Sequence, residues 1–294
     1  MILSIYKHSR LIGLSLPLVA LYLPLFSQGT LHKEISRGSE KELNVTIDVS
    51  FGKVLISRGE ASKVVIADVR APREADPDEF QIDYRVRNGR GELVIRSKER
   101  RGFWKTRDDD DDEEDREWNL KFTDAIPITF KIELGAGKGE LDLSGLRIRN
   151  MKVSSGASAV DMFCDRPNSI DAETIVIESG VSKFTATNLI NMNFRKLKFS
   201  GGVGAYRLDF GGKLRQDADA KIEVGLGAVT VTLPKDLQAR VMYSDSWFSS
   251  FDLDGDFSHR RNGVYETTGY NSNTPTISIQ IESGLGSVKV RRRD

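Results

Sequence analysis

From Ile132 to the C-terminus the chain writes one short phrase six times. The copies are Ile132-Glu-Leu-Gly-Ala-Gly, Val153-Ser-Ser-Gly-Ala-Ser, Ile177-Glu-Ser-Gly-Val-Ser, Phe199-Ser-Gly-Gly-Val-Gly, Ile222-Glu-Val-Gly-Leu-Gly and Ile281-Glu-Ser-Gly-Leu-Gly. The fourth residue is always glycine (Gly135, Gly156, Gly180, Gly202, Gly225, Gly284) and the sixth is always Gly or Ser. Successive fourth-place glycines lie 21, 24, 22 and 23 residues apart, then 59. A near-constant period in the low twenties marks stacked units, none of which can bury an apolar face alone.

Before each glycine, apolar residues alternate, as in Phe130 and Ile132, Ile175 and Ile177, or Ile279 and Ile281. After it, alternation resumes at Val160 and Met162, Phe184 and Ala186, or Val288 and Val290. Period two denotes strands with one buried face. Inward places are the first and fifth before the turn, the eighth and tenth after it. A one-residue slip would flip every side chain to the other face. The Gly-x-Gly/Ser step absorbs it, because glycine tolerates φ > 0 or a bulge. Each phrase therefore reads as strand, corner, strand, and the six glycines as structural corners. The rest of each period returns the chain to the next rung, with Leu146 and Ile148, or Met192 and Phe194, also inward. The expected fold is an all-β solenoid, a right-handed β-helix-like stack of about six rungs at ~4.8 Å spacing. A phosphate-cradling role for Gly-x-Gly would need a helix directly after it, and another strand follows every time.

The second place of the phrase, Glu133, Ser154, Glu178, Ser200 and Glu223, should form an outward column. Ser between carboxylates doubles the distance between like charges, which reads as charge spacing on a solvated face. The sharper alternative is an acidic ladder that binds a ligand.

The N-terminus has the form of an export signal. Lys7, His8 and Arg10 precede an apolar stretch from Leu11 to Leu25 that ends at Phe26-Ser27-Gln28-Gly29. Residues 1–27 are read as a signal peptide cleaved near Ser27. Pro17 and Pro24 and the short span disfavour a stable transmembrane anchor. Cleavage leaves 41 basic against 43 acidic residues, a balance that argues against nucleic acid as partner. Cys164 is the only cysteine, so no intrachain disulfide can form; its place in a post-glycine strand suggests a small buried hydrophobe.

Residues 28–125 read as an N-terminal β cap region, in which Asp48 to Ile56 echoes the phrase imperfectly. It carries eight consecutive acids, Asp108 to Asp115. Such a run repels itself and stays solvated, which implies a loop, with loose calcium binding as the alternative. Residues 126–294 form the repeat domain, interrupted by an excursion at 234–274. The excursion holds Trp247, Phe248 and Phe251, a candidate contact surface on a hairpin-like rung. Its Asp252, Asp254 and Asp256 lack the full ligand set of a calcium loop.

The mature chain has two histidines, His32 and His259, too few for a recognisable zinc cluster. No nucleophile elbow, Cys–His pairing or phosphate loop is present. The expectation is a non-enzyme with no catalytic residue, no metal and no cofactor. Its partner would be an envelope protein or a glycan.

The closing phrase Ile281 to Val290 resembles that of the bacterial toast-rack and adhesin-like β-solenoid proteins. So does Leu233-Pro-Lys-Asp-Leu-Gln-Ala-Arg-Val241 followed by an aromatic-rich excursion and Tyr270. The resemblance covers residues 125–291 well and 40–100 loosely. It implies an envelope protein, periplasmic or at the cell surface, related to the C-terminal domains of cell-envelope stress-response proteins. Those relatives often carry several membrane spans before the repeat, where this chain has a signal-like segment. The family supplies no catalytic residues. The expected function is an exported, non-enzymatic binding or structural module. A regulatory ectodomain in envelope-stress signalling is one alternative. A carbohydrate-active β-helix enzyme of the polysaccharide-lyase kind, which would need a base and acidic metal ligands on one face, is the other.

Overall fold

Seven long strands of 15 to 17 residues dominate the architecture. They are β3 (Glu42–Arg58), β8 (Ile128–Asp142), β9 (Ile148–Phe163), β10 (Ala172–Thr187), β11 (Phe194–Asp209), β12 (Ala218–Pro234) and β17 (Ile277–Arg293). The computed structural model describes residues 25–27, 30–71, 79–97, 116–244, 248–261, 263–271 and 273–294. Most of the signal segment, the acidic run 108–115 and Trp247 lie outside these residues.

The long strands stack in parallel in the order β3-β8-β9-β10-β11-β12-β17, with the phrase in register throughout. Ile132 pairs with Val153, Val153 with Ile177, Ile177 with Phe199, Phe199 with Ile222, and Ile222 with Ile281. The fold is the expected all-β solenoid. β3 carries the imperfect echo, with Ser50 in place of the glycine, and pairs Ile47 with Ile132 as a further long strand of the ladder.

Ladder pairing lapses at the fourth place of the phrase: Ser179 pairs with Gly201 and Val181 with Val203, but the glycines between do not pair. The same gap recurs between β11 and β12 and between β12 and β17. At the ends of the stack the two arms of a long strand meet different neighbours. Residues 42–48 of β3 pair with β6 (Arg90–Ser97), whereas residues 53–58 pair with β7 (Glu117–Phe122).

Burial follows the phrase with one correction. The first, eighth and tenth places are buried as expected, for example Ile177, Phe184 and Ala186 at 0% exposure. The fifth place, expected to point inward, points out: Val181 is 67% exposed, Val203 45%, Leu226 47% and Leu285 47%. The third place is the inward one, with Ser179 and Val224 buried. The parity shift therefore falls before the fifth residue, where an aliphatic side chain faces solvent, because apolar residues are not always inside.

Return stretches close the third side of the core. Leu146, Ile148, Met192 and Phe194 are buried there. Asn168, 1% exposed, ties three successive returns together. Its Nδ2 donates to Ile148 O (2.7 Å) and Met192 O (3.0 Å), and its Oδ1 accepts from Ile148 N (3.2 Å) and Ile170 N (3.3 Å). A buried amide satisfied on both sides stiffens the stack where no strand ladder runs. Cys164 is buried beside it, and loss of solvent pushes its thiol up to about 12, so it packs as a hydrophobe and not as a thiolate.

Both ends of the stack are covered. At the N-terminal end β5 (Phe80–Arg87) and β6 form a hairpin through Asn88 and Gly89, both at positive φ (51° and 74°), as a two-residue hairpin turn requires. β7 pairs with β4 (Lys63–Arg70), β4 with β2 (Thr30–Ser36), and β2 with β1 (Leu25–Ser27), all antiparallel. At the other end β12 pairs directly with β17, passing over the excursion. The excursion returns to lie on the outer side of β17. β13 (Ala239–Ser244) pairs with Ile277–Glu282 and β14 (Ser249–Leu253) with Gly286–Val290. β16 (Val264–Thr267) then pairs with β13, and β15 (Phe257–Arg261) with β16. The excursion is thus a closing layer made of two arms of a rung plus a hairpin. Among the described residues no helix is long and apolar enough to cross a membrane.

Candidate functional site

The corner places three columns of side chains side by side along the stack. The floor is the fourth-place glycine column. A Cβ added to Gly156 would stand 2.7 Å from Gly135 O, one on Gly202 2.9 Å from Gly180 O, one on Gly225 3.0 Å from Gly202 O and one on Gly284 2.6 Å from Gly225 O. Each glycine therefore nests against the carbonyl of the rung before it. Positive φ is not the reason for glycine here; it occurs at the sixth place, in Gly52, Gly137, Gly227 and Gly286 (φ 112°, 125°, 137° and 134°).

The second-place column forms one wall. Asp48 pairs with Glu133, and the column continues through Ser154, Glu178, Ser200, Glu223 and Glu282. Its charge is managed by a lysine column two residues upstream that the sequence reading did not identify. Lys131 Nζ lies 2.7 Å from Glu133, Lys152 2.9 Å from Glu178, and Lys221 2.6 Å from Glu223 and 3.5 Å from Glu282. Ser154 Oγ donates to Glu178 at 3.1 Å. Hydrogen bonding from Lys152 and from Lys221 holds the Glu178 and Glu223 carboxyls below the usual carboxylate range. The recurring Lys-Ile/Val/Phe-Glu/Ser triplet is visible in the sequence and signals this column, since residues two apart on a strand share a face.

The fifth-place residues form the other wall. Val181, Val203, Leu226 and Leu285 follow one another on four consecutive strands, paired in register. Ala136 and Ala157 continue the row toward Phe51, which is 39% exposed. Phe248, 73% exposed, precedes Ser249, the partner of Gly286, so it stands beside Leu285 at the row's other end.

Two open grooves run along the acidic wall and the glycine floor and meet at Ser200; of the fifth-place row, Phe51, Ala136 and Ala157 line one of them, and the larger aliphatics follow the floor glycines in the chain. One, of about 810 Å³, runs from Asp48 and Phe51 to Glu178 and Gly180. The other, of about 650 Å³, is lined by Glu223, Gly225, Glu282, Ser283, Gly284 and Ser244 among others. Five carboxylates line the pair of grooves and no Lys or Arg does. Ser155 and Ser179 share a hydrogen bond beneath the floor (3.1 Å), whereas the Oγ of Ser283, 7% exposed, has no hydrogen-bond partner.

Of the expected contact aromatics, Phe248 thus flanks the strip. Phe251 is half-buried in the closing layer, where its ring stacks on Tyr243 at 4.2 Å and 7° and packs at 5.5 Å against Tyr265. The excursion's aspartates face arginines. Asp252 and Asp254 pair with Arg291, and Asp256 lies 3.6 Å from Arg292. Among the described residues no three His, Cys, Asp or Glu side chains converge as a metal site.

Several solved structures are similar in outline. A candidate cell-adhesion protein from Clostridium sporogenes is 21% identical, with 90% of this chain and 99% of that one covered and a TM-score of 0.45. A candidate adhesin from Bacteroides fragilis is 12% identical over 90% and 98% of the two chains, with a TM-score of 0.38. A candidate lipid-binding protein from Parabacteroides distasonis is also 12% identical, over 90% and 97%, with a TM-score of 0.41. No curated protein matches the chain. The family model described as the N-terminal domain of toast_rack, DUF2154, matches residues 27–187. That match spans more than half of the 294 residues, and the chain belongs to the toast_rack family.

Proposed function

We propose that this chain is an exported, non-enzymatic binding and structural module of the bacterial cell envelope, working in the periplasm or at the cell surface. One observation carries the reading: the strip along the corner repeats the same contact chemistry on strand after strand. A catalytic site gathers different groups around one point, whereas a strip of repeated groups suits an elongated partner. An exposed apolar row is itself uncommon on a monomeric surface and marks interaction sites. Export is supported by the basic start and apolar stretch of residues 1–27.

Fractionation of the native host tests both parts. The chain is expected in the envelope fraction, shortened by about 27 residues, and should co-sediment with isolated envelope. Substituting Val203→Ser together with Leu226→Ser should release it from that material without altering its circular dichroism. Full-length chain in the cytosolic fraction, or hydrolysis of envelope polysaccharides by the purified protein, would overturn the reading.

A further inference from the structure

Resting on the binding-module reading, we propose that the corner strip docks a polypeptide segment bearing both apolar and basic side chains, laid along the stack. Two independent features converge on that occupant. The apolar wall exposes Val181, Val203, Leu226 and Leu285 at about half or more of their surface on four successive strands. The charge lining the grooves is solely negative, from Asp48, Glu133, Glu178, Glu223 and Glu282, because the compensating lysines lie on the far side of the acidic wall.

Charge decides among the occupants. A bilayer rich in anionic lipid, or a second copy apposed strip to strip, would bring negative charge against these carboxylates, and like charges across an interface are costly. A glycan would meet aliphatic side chains where sugar rings are better served by aromatic faces. An extended or helical peptide can bury alternate apolar residues on the ridge and turn basic ones toward the acids. From Val181 to Leu285 the ridge spans about 14 Å at ~4.8 Å per rung, the reach of about four extended residues.

The test uses the purified chain and fluorescein-labelled ten-residue peptides at physiological salt, read by anisotropy. A peptide alternating Lys and Leu should bind at least about tenfold more tightly than one alternating Glu and Leu or one alternating Lys and Ser. The double variant Val203→Ser, Leu226→Ser should weaken binding of the Lys–Leu peptide by about tenfold or more. So should Glu178→Gln with Glu223→Gln, which leaves the ridge untouched. Equal affinity for all three peptides, or affinity unchanged in both variants, overturns the proposal. It also fails if the ridge variant changes the sedimentation coefficient, because the strip is then a self-interface. If the peptide does not bind while anionic vesicles or envelope glycan bind through the ridge, the peptide assignment falls and the binding-module reading stands. If none of these ligands binds and the chain does not co-sediment with envelope, both fall.

Discussion

At the scale of single residues, the repeat's glycines do two different jobs. Those at the fourth place let one rung's corner sit against the carbonyl of the rung before it, with backbone that other residues could adopt. At the sixth place Gly137, Gly227 and Gly286 also hold positive φ, although Gly204 does not, and a Cβ on Gly227 would run into Gly204 O more closely than one at Gly225 runs into Gly202 O. Gly225→Ala should therefore cost about 1 kcal/mol, the scale of a contact that neighbours can relieve by shifting. Gly227→Ala should cost about 3 kcal/mol, because strained backbone adds to the clash. Ala228→Val, on the exposed surface one residue on, should change stability little. Urea unfolding of the three variants gives the order. A larger loss at Gly225 than at Gly227 would mean that rung contact, not backbone conformation, limits the corner. Spacing alone finds these glycines but does not tell the two jobs apart. Spacing reports that a position recurs, and both φ and rung approach make glycine recur. The exposed fifth place escaped for a related reason: Val and Leu in a β-rich segment look like core, and only the corner's geometry turns them out.

Among elements, the long strands were legible and the closing layers were not. Alternation is local, so Ile177 and Phe184 could be assigned to the core from their own neighbours. β12 pairs with β11 on one side and, on the other, with β17 beyond an insertion of some forty residues; the recurrence of the phrase at Ile281 signals that jump, but not the pairing of the inserted strands. The excursion's role as a lid on the last rung depends on non-local pairs such as Phe251 with Val288. The closing layer is also held by Glu266, which lies 2.8 Å from both Arg240 and Arg260 and is 8% exposed. Hydrogen bonding from Arg240 is the main cause that lowers the Glu266 pKa from 4.5, with Arg260 adding to it. A carboxyl whose folded pKa is depressed contributes stability that is present above its unfolded value and lost as pH falls through the folded value. Glu266→Gln should thus lower stability at pH 7 by about 1–2 kcal/mol. The deficit should shrink as pH falls below about 4.5, where the wild-type carboxyl takes up its proton. A deficit that stays constant from pH 7 to pH 3 would assign the loss to packing and not to the ion pairs.

For the whole molecule, register along the stack makes the rungs interchangeable in a way the two ends are not. Ala172 pairs with Phe194, 22 residues further on, so the chain from Ala172 to Asn193 is one full turn of the solenoid. Removing it would bring Phe194 into the place of Ala172 and Lys196 opposite Asn150, where Thr174 now pairs. Aromatic packing loses Phe184 against Phe199 (5.9 Å), but Phe199 keeps its edge contact with Tyr206 at 5.1 Å. Tyr206 Oη, which donates to Gly180 O at 3.2 Å, would meet the equivalent carbonyl of Gly156. A solenoid is stabilised by its repeats and the interfaces between neighbours, so losing one internal unit subtracts one increment without breaking the rest. The shortened chain should keep its β spectrum per residue and unfold in a single transition, with a lower midpoint. Removing the same length from the closing layer, residues 239–260, takes away the strands that cover β17 and strips the pairing from Ile277–Glu282 and Gly286–Val290. An uncovered long strand is an open edge that pairs with other chains. That variant should aggregate at concentrations where the rung deletion stays monomeric by light scattering. If the rung deletion aggregates equally, the rungs are not equivalent, and the differences among them, such as Ser158 and Ser182 standing where other copies have glycine, would matter to the fold as a whole.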